Sequence, residues 1–162
     1  MKRTPPRGRA ISPTITSRSM PNTAVKSKPL QVVAAVIRGA DGKILLAKRP
    51  QHISQGGKWE FPGGKIKAGE TPEECLKREI KEELDLDIEV DEFFGENIYS
   101  YETGTIRLVA YKAQLIGGQC RLKVHSRVEW VKPHDLAGYD FSPADVPFVE
   151  KLGRNCWKWL RK

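Results

Sequence analysis

The pattern of segments predicts an α/β protein in which helices pack on a central mixed β-sheet. Three observations predict it. Short apolar, β-branched segments recur along the chain; one stretch repeats its apolar residues every four positions between clear helix start and stop signals; and the two kinds of segment interleave in the order β-β-loop-helix-β-β-β-helix. With 162 residues the chain has room for one domain and a sizeable core.

The elements follow in order. Residues 32–38 (VVAAVIR) read as a buried strand, and Asp41-Gly42 turns the chain into a second strand over 44–48. Residues 51–58 form a polar, glycine-bearing loop. Trp59-Glu60-Phe61 is a short strand leading into Pro62-Gly63-Gly64, read as a glycine-rich turn. A helix is predicted over 72–84, with Thr71 as N-cap, Pro72 at the first helical position and Glu74 completing a Thr-x-x-Glu capping box. Leu76, Ile80 and Leu84 should anchor it to the core. Further strands are expected over 88–94, 106–116 and 128–131, with a turn at Gly117-Gly118. One helical turn over 133–137 and a closing helix over 143–159, capped by Ser142, complete the chain.

The net charge of +8 suggests a nucleic-acid binder until it is divided. Residues 1–29 carry seven Lys or Arg and no acid, which leaves 21 basic against 20 acidic residues in the remainder. The expected organisation is therefore a basic tail over 1–29 and one domain over 30–162, with no stable nucleic-acid complex. The tail also holds five prolines and cannot bury enough apolar surface to fold alone. It reads as a disordered extension, an organelle transit peptide or a nucleic-acid-binding arm. No apolar run is long enough to span a membrane. Cys75, Cys120 and Cys156 lack metal-type spacing and suggest reduced thiols in a cytoplasmic setting. His52, His125 and His134 are scattered and read as surface or hydrogen-bonding residues.

The predicted helix carries the chemistry. Glu79, Glu82 and Glu83 stand at i, i+3 and i+4, on one face about 100° wide. Like charges at that spacing repel, so something positive should offset them. Oxygen-only ligands suit a hard divalent ion, Mg²⁺ or Mn²⁺. Arg78 is at helix-neighbour spacing from Glu74 and Glu82 and can orient carboxylates, whereas Glu73 and Glu74 read as solvated surface charge.

Residues 64–86, GKIKAGETPEECLKREIKEELDL, resemble the Nudix box, Gly-x5-Glu-x7-Arg-Glu-(apolar)-x-Glu-Glu-x-Gly-(apolar). Gly64, Glu70, Arg78, Glu79, Ile80, Glu82, Glu83 and Leu86 match; Asp85 departs, standing where the family has glycine. The site needs a left-handed backbone, which Asp tolerates at a cost of about 1 kcal/mol. The resemblance implies the Nudix fold, an α/β/α sandwich with a central mixed sheet. It is closest to MutT-like nucleoside triphosphate pyrophosphohydrolases, including the branch acting on cytidine nucleotides. It also implies roles: Glu79, Glu82, Glu83 and the carbonyl of Gly64 hold metal, Glu79 serves as general base, and Glu70 and Arg78 brace the carboxylates. Arg49 stands where MutT-like proteins place a phosphate-contacting arginine, and Lys65 is a second candidate for phosphate. The family often supplies one more glutamate from the loop before the strand of Trp130. Here Val124 or His125 stands at that place.

The segment FSPADVP, residues 141–147, resembles the part of MutT that reads the base. MutT has Asn at the position of Asp145, and the cytidine branch has Asp. An ionised Asp145 suits an exocyclic amino group, and a protonated one an oxidised guanine. Equally, at the start of the closing helix it would simply complement the helix dipole. Phe61 and Phe141 are candidates to stack on a base or to fill the core. The function expected is hydrolysis of a nucleoside triphosphate, with a modified or cytidine-type base, to monophosphate and pyrophosphate. The alternative is a Nudix-fold module that binds nucleotide or nucleic acid without cleaving it, a class that typically loses box carboxylates. This chain keeps all of them.

Overall fold

The computed structural model describes residues 28–160, with side chains up to residue 154. The tail over 1–27 and the thiol of Cys156 lie outside the described residues. The chain runs β1 (Leu30–Arg38), β2 (Ile44–Lys48), β3 (Trp59–Glu60), β4 (Gly63–Lys65), α1 (Pro72–Leu84), β5 (Leu86–Tyr101), β6 (Gly104–Gly118) and β7 (Arg127–Val131). Two 3-10 turns, Pro133–Gly138 and Pro143–Asp145, then lead into α2 (Val146–Leu160). The strands order as β3-β2-β1-β6-β5, with β4 added to β1 and β7 to β2. β1 and β6 are parallel and the other pairs antiparallel, so the sheet is mixed, as predicted.

Side-chain alternation along β1 divides the core into two layers. Val33, Ala35 and Ile37 face α1 and join Cys75, Leu76, Ile80 and Leu84. Ala34 and Val36 face the other way and join Leu136, Phe148, Val149 and Leu152 of the second helical layer. The sheet is thus buried between two helical layers. Leu76, Ile80 and Leu84 are all fully buried, each contributing about 1.5–3 kcal/mol of apolar burial.

α1 begins and ends as its sequence predicts. Thr71 accepts a hydrogen bond from the Glu74 amide, and Glu74 accepts one from the Thr71 amide, closing the capping box. Glu74 is thereby committed to the cap rather than to Arg78. At the other end Asp85 adopts φ 58°, ψ 34°, and its N–H bonds the carbonyl of Lys81. The left-handed position is occupied by aspartate as expected.

Three expectations are corrected. Gly63 and Gly64 form a strand, not a turn: β4 pairs with β1 at Val33↔Gly64. Neither glycine has a positive φ; what they supply is close approach, since a Cβ on Gly63 would collide with the Val33 carbonyl. β5 and β6 are far longer than predicted, 16 and 15 residues. Their outer halves are polar and partly solvated, and so lack the apolar run that marks a buried strand. Finally, the closing helix starts at Val146. Residues Pro143–Asp145 form a 3-10 turn, and Ser142 makes no capping hydrogen bond.

Candidate active site

β1 and β2 are paired to each other only at Arg38↔Ile44. Beyond that point they part, β1 taking β4 as neighbour and β2 taking β3 and β7. A cleft of about 890 Å³ is lined by residues of this divided region, among them Arg49, Phe61, Gly64, Glu79, Glu83 and Asp145.

One wall is acidic. Glu79 and Glu83 line the cleft, and the Glu79 carboxyl sits against the Cα of Gly64 so closely that a Cβ there would overlap it. Arg78 braces this wall from behind. Its guanidinium donates to Glu70 at 2.5 and 2.9 Å, to Glu79 at 2.9 Å and to Glu82 at 3.1 Å. The Arg78 hydrogen bond, reinforced by the Lys67 amide, pulls Glu70 down to a pKa of about 2. Glu82 is more exposed, at 56 %, and does not line the cleft. The helical spacing therefore brings Glu79 and Glu83 together at the cleft and leaves Glu82 beside Arg78.

Glu83 is the unsettled member. Its Oε1 is buried without a hydrogen-bond partner. Burial pushes its pKa up to about 7, assisted by the charges of Glu79 and Glu60 and opposed by His125. An orphaned carboxylate oxygen of this kind costs stability unless something positive meets it. The donor set of Glu79, Glu82 and Glu83 with the Gly64 carbonyl is all oxygen and fits a hard divalent cation. Among the described residues no three such side chains are drawn together in metal-holding geometry; Arg78 takes oxygens of Glu79 and Glu82 instead.

Glu60, which the sequence did not single out, joins Arg49 and His125 in a second group that also lines the cleft. Glu60 of β3 accepts from Arg49 Nη1 at 2.9 Å through Oε1, and its Oε2 lies 2.9 Å from His125 Nε2. Arg49 also donates to the Ser54 carbonyl at 2.7 Å. His125, expected near the surface or as a hydrogen-bonding residue, is buried at 6 % exposure. The segment that carries it is tied to α1: the amides of Arg121 and Lys123 donate to the carbonyls of Leu84 and Glu83. Val124, its neighbour, is exposed and apolar. The β6–β7 loop thus brings to the cleft both residues, Val124 and His125, that the sequence offered for this place.

Phe61, Ser142 and Asp145 also line the cleft. Asp145 is 4 % exposed, and its Oδ1 accepts from the Phe61 amide at 3.2 Å. Burial raises its pKa well above the usual carboxylate range, with Glu60 adding to the effect. Asn97 donates to the Ala144 carbonyl, and the Ala144 amide donates to the Tyr101 hydroxyl, so the long β5 strand fixes this segment. Ser142 Oγ is buried without a partner. Phe61 and Phe141 both pack in the core, their ring centroids 5.4 Å apart, and Phe61 also lines the cleft. Lys65 is exposed at the cleft edge, and its carbonyl accepts from Arg78 and Cys75. No helix among the described residues is long and apolar enough to cross a membrane.

Known proteins resemble this chain over most of its length. CTP pyrophosphohydrolase of Escherichia coli K12 is 37% identical over 123 residues, covering 76% of this chain and 90% of that protein. A putative 8-oxo-dGTP diphosphatase 2 of Mycobacterium tuberculosis is 38% identical over 126 residues, 76% of this chain and 86% of that one. Among solved structures, a MutT protein of Methanosarcina mazei Go1 superposes with a TM-score of 0.72 at 24% identity, covering 79% of this chain and 96% of the other, and supports the fold. MutT of methicillin-resistant Staphylococcus aureus 252 gives 0.64 at 37% identity over 79% and 98%. With the NUDIX domain model matching residues 28–152, which hold the whole sheet and the acidic helix, this chain belongs to the Nudix family and is a Nudix hydrolase.

Proposed function

We propose that the chain is a divalent-cation-dependent nucleoside triphosphate pyrophosphohydrolase with a preference for cytidine-type bases. It adds water across a phosphoanhydride and releases the monophosphate and pyrophosphate. The observation that carries this reading is the pairing of Glu79 and Glu83 on one wall of a cleft large enough for a nucleotide.

Glu79, Glu82, Glu83 and the Gly64 carbonyl would hold the cation, Mg²⁺ or Mn²⁺. When bound, it neutralises charge on the triphosphate and lowers the pKa of water. Glu79 takes the proton of the attacking water, and its carboxyl is held for that task by Arg78 Nη1. Arg78 and Glu70 keep the carboxylates oriented as an ion-paired unit. Arg49, fixed by Glu60 and the Ser54 carbonyl, offers its guanidinium to phosphate, with Lys65 as a second cation lining the cleft. Phe61 provides an apolar face for the base, and Asp145 reads the base edge beside it.

Support for a cytidine-type base comes from Asp145 and from the CTP pyrophosphohydrolase similarity. A second reading rests on the burial of Asp145, which favours the neutral acid. A neutral carboxyl can donate to a carbonyl oxygen, as oxidised guanine presents. A screen of canonical, oxidised and methylated nucleoside triphosphates, with product identification, tests both. Highest kcat/KM for CTP or dCTP, with pyrophosphate released, supports the first reading. Preference for 8-oxo-dGTP selects the second, and release of orthophosphate alone would overturn the reaction.

A further inference from the structure

The outer half of β5, which the sequence did not announce, ends at the cleft. Tyr101 pairs with Gly104 across the β5–β6 hairpin, and Tyr101, Thr103, Gly104 and Thr105 all line the cleft. Two side chains of β5 grip one residue of the Pro143–Asp145 turn. Asn97 Nδ2 donates to the Ala144 carbonyl at 3.0 Å, and the Ala144 amide donates to Tyr101 Oη at 3.0 Å. The Tyr101 hydroxyl is thereby set next to the residue that precedes Asp145, and the charge of Asp145 acts on it. The Tyr101 ring is held in turn by Tyr99, with 4.7 Å between centroids.

The Ala144 amide decides what this hydroxyl can do. A tyrosine hydroxyl both donates and accepts. Here the amide takes the oxygen as acceptor, and the hydroxyl hydrogen meets no acceptor among the described residues. Burial raises the Tyr101 pKa, so the hydrogen stays in place at neutral pH. The cleft is thus lined by a donor, Tyr101, close to the carboxyl of Asp145. The same turn leaves a further atom unfilled. Ser142 Oγ is buried without a partner, although the Ser142 amide is anchored to the Trp59 carbonyl and its carbonyl to the Asp145 amide, both at 2.9 Å. Open hydrogen-bonding capacity on an anchored segment of a cleft is what a polar ligand requires.

We propose that Tyr101 is a specificity-determining residue: its hydroxyl donates a hydrogen bond to ring N3 of a cytosine base while Asp145 accepts from the amino group beside it. The proposal rests on the cytidine-type reading of this site. Cytosine presents an amino donor next to a ring acceptor. Uracil presents the reverse order, a carbonyl acceptor next to a ring N–H. An acceptor from Asp145 and a donor from Tyr101 therefore match cytosine, and set N–H against O–H for uracil. A mismatch of that kind leaves buried polar groups unpaired, which is how a pocket rejects an analogue of nearly equal shape.

The test compares CTP with 3-deazacytidine triphosphate, in which C–H replaces N3, on the full-length protein with Mg²⁺. Wild type should favour CTP by about 10- to 100-fold in kcat/KM, the usual range for a lost polar contact in a pocket. Tyr101→Phe keeps the ring and should bring that ratio to within about two-fold of one. A tyrosine that only holds Ala144 would slow both substrates alike and keep the ratio, which overturns the proposal. A second measurement needs no folded Tyr101→Phe. In wild type carrying ¹³C at the tyrosine ζ carbon, the Tyr101 resonance, identified by exclusion among four tyrosines, should shift with saturating CMP and not with 3-deazacytidine monophosphate. Equal shifts with the two ligands overturn the assignment. CTP hydrolysis that is indifferent to N3 in wild type overturns the Tyr101 role alone, while the cytidine-type reading stands. No CTP hydrolysis at all overturns that reading and the Tyr101 role together.

Discussion

The carboxyl of Glu79 occupies the space that a Cβ on Gly64 would need. The glycine is required by its neighbour rather than by its own backbone, since its φ is not positive. Gly64→Ala should push Glu79 off its position against β4 while leaving the strand pairing possible. We expect kcat to fall at least about 10-fold with a stability loss of about 1–3 kcal/mol, the usual cost of overpacking. Turnover and thermal unfolding of the variant check this; unchanged turnover would mean that Glu79 does not act from this position.

Glu82→Gln tests whether the exposed member of the trio takes part. It keeps the shape and a partner for Arg78 but removes the charge. If Glu82 helps to hold the cation, kcat should drop at least about 100-fold with the fold intact. Steady-state rates and circular dichroism suffice, with an excess-chelator control in which wild-type activity should vanish.

Glu83 makes the metal-free protein sensitive to pH. Its pKa rises from an ordinary 4.5 to about 7 on folding, chiefly through burial. Between those values the folded state holds a proton that the unfolded state has released, so stability falls as pH rises. The melting temperature of metal-free protein should therefore decline from pH 5 towards pH 8. Glu83→Gln should flatten that slope. A cation that binds the ionised carboxylate should release a proton near pH 6, measurable by titration calorimetry in buffers of different ionisation enthalpy.

Asp145→Asn probes base choice. The amide can still accept from the Phe61 N–H but puts a donor where an ionised carboxyl would only accept. Loss of a matched polar contact in a buried pocket costs about 1–3 kcal/mol. Preference for cytidine nucleotides should accordingly fall about 10- to 100-fold in kcat/KM, with metal dependence unchanged. An unaltered substrate ranking would reduce Asp145 to a structural residue.

What the sequence made legible was local. The capping box at Thr71 and Glu74, the buried stripe of Leu76, Ile80 and Leu84, and the left-handed Asp85 all follow from spacing within a few residues. The Glu79–Glu83 pair could be placed on one face for the same reason. The group of Arg49, Glu60 and His125 could not, because it is assembled by antiparallel pairing of β2 with β3 and β7, and register is a tertiary property. Likewise, nothing near Ala144 announces that Asn97 and Tyr101, more than 40 residues earlier, hold it. Gly63 and Gly64 misled for a related reason: glycine marks close approach as readily as it marks a turn.

The amides of Arg121 and Lys123 bind the last carbonyls of α1, so the β6–β7 loop and the acidic helix share a backbone seam. That seam gives the enzyme a tuning control outside its acidic face. Lengthening or stiffening residues 119–126 would shift the Glu83 main chain and with it the Glu83 carboxyl, changing working pH with no substitution on the acidic face. Variation in this loop is thus a route by which near-identical acidic helices could come to serve different cells and different nucleotides.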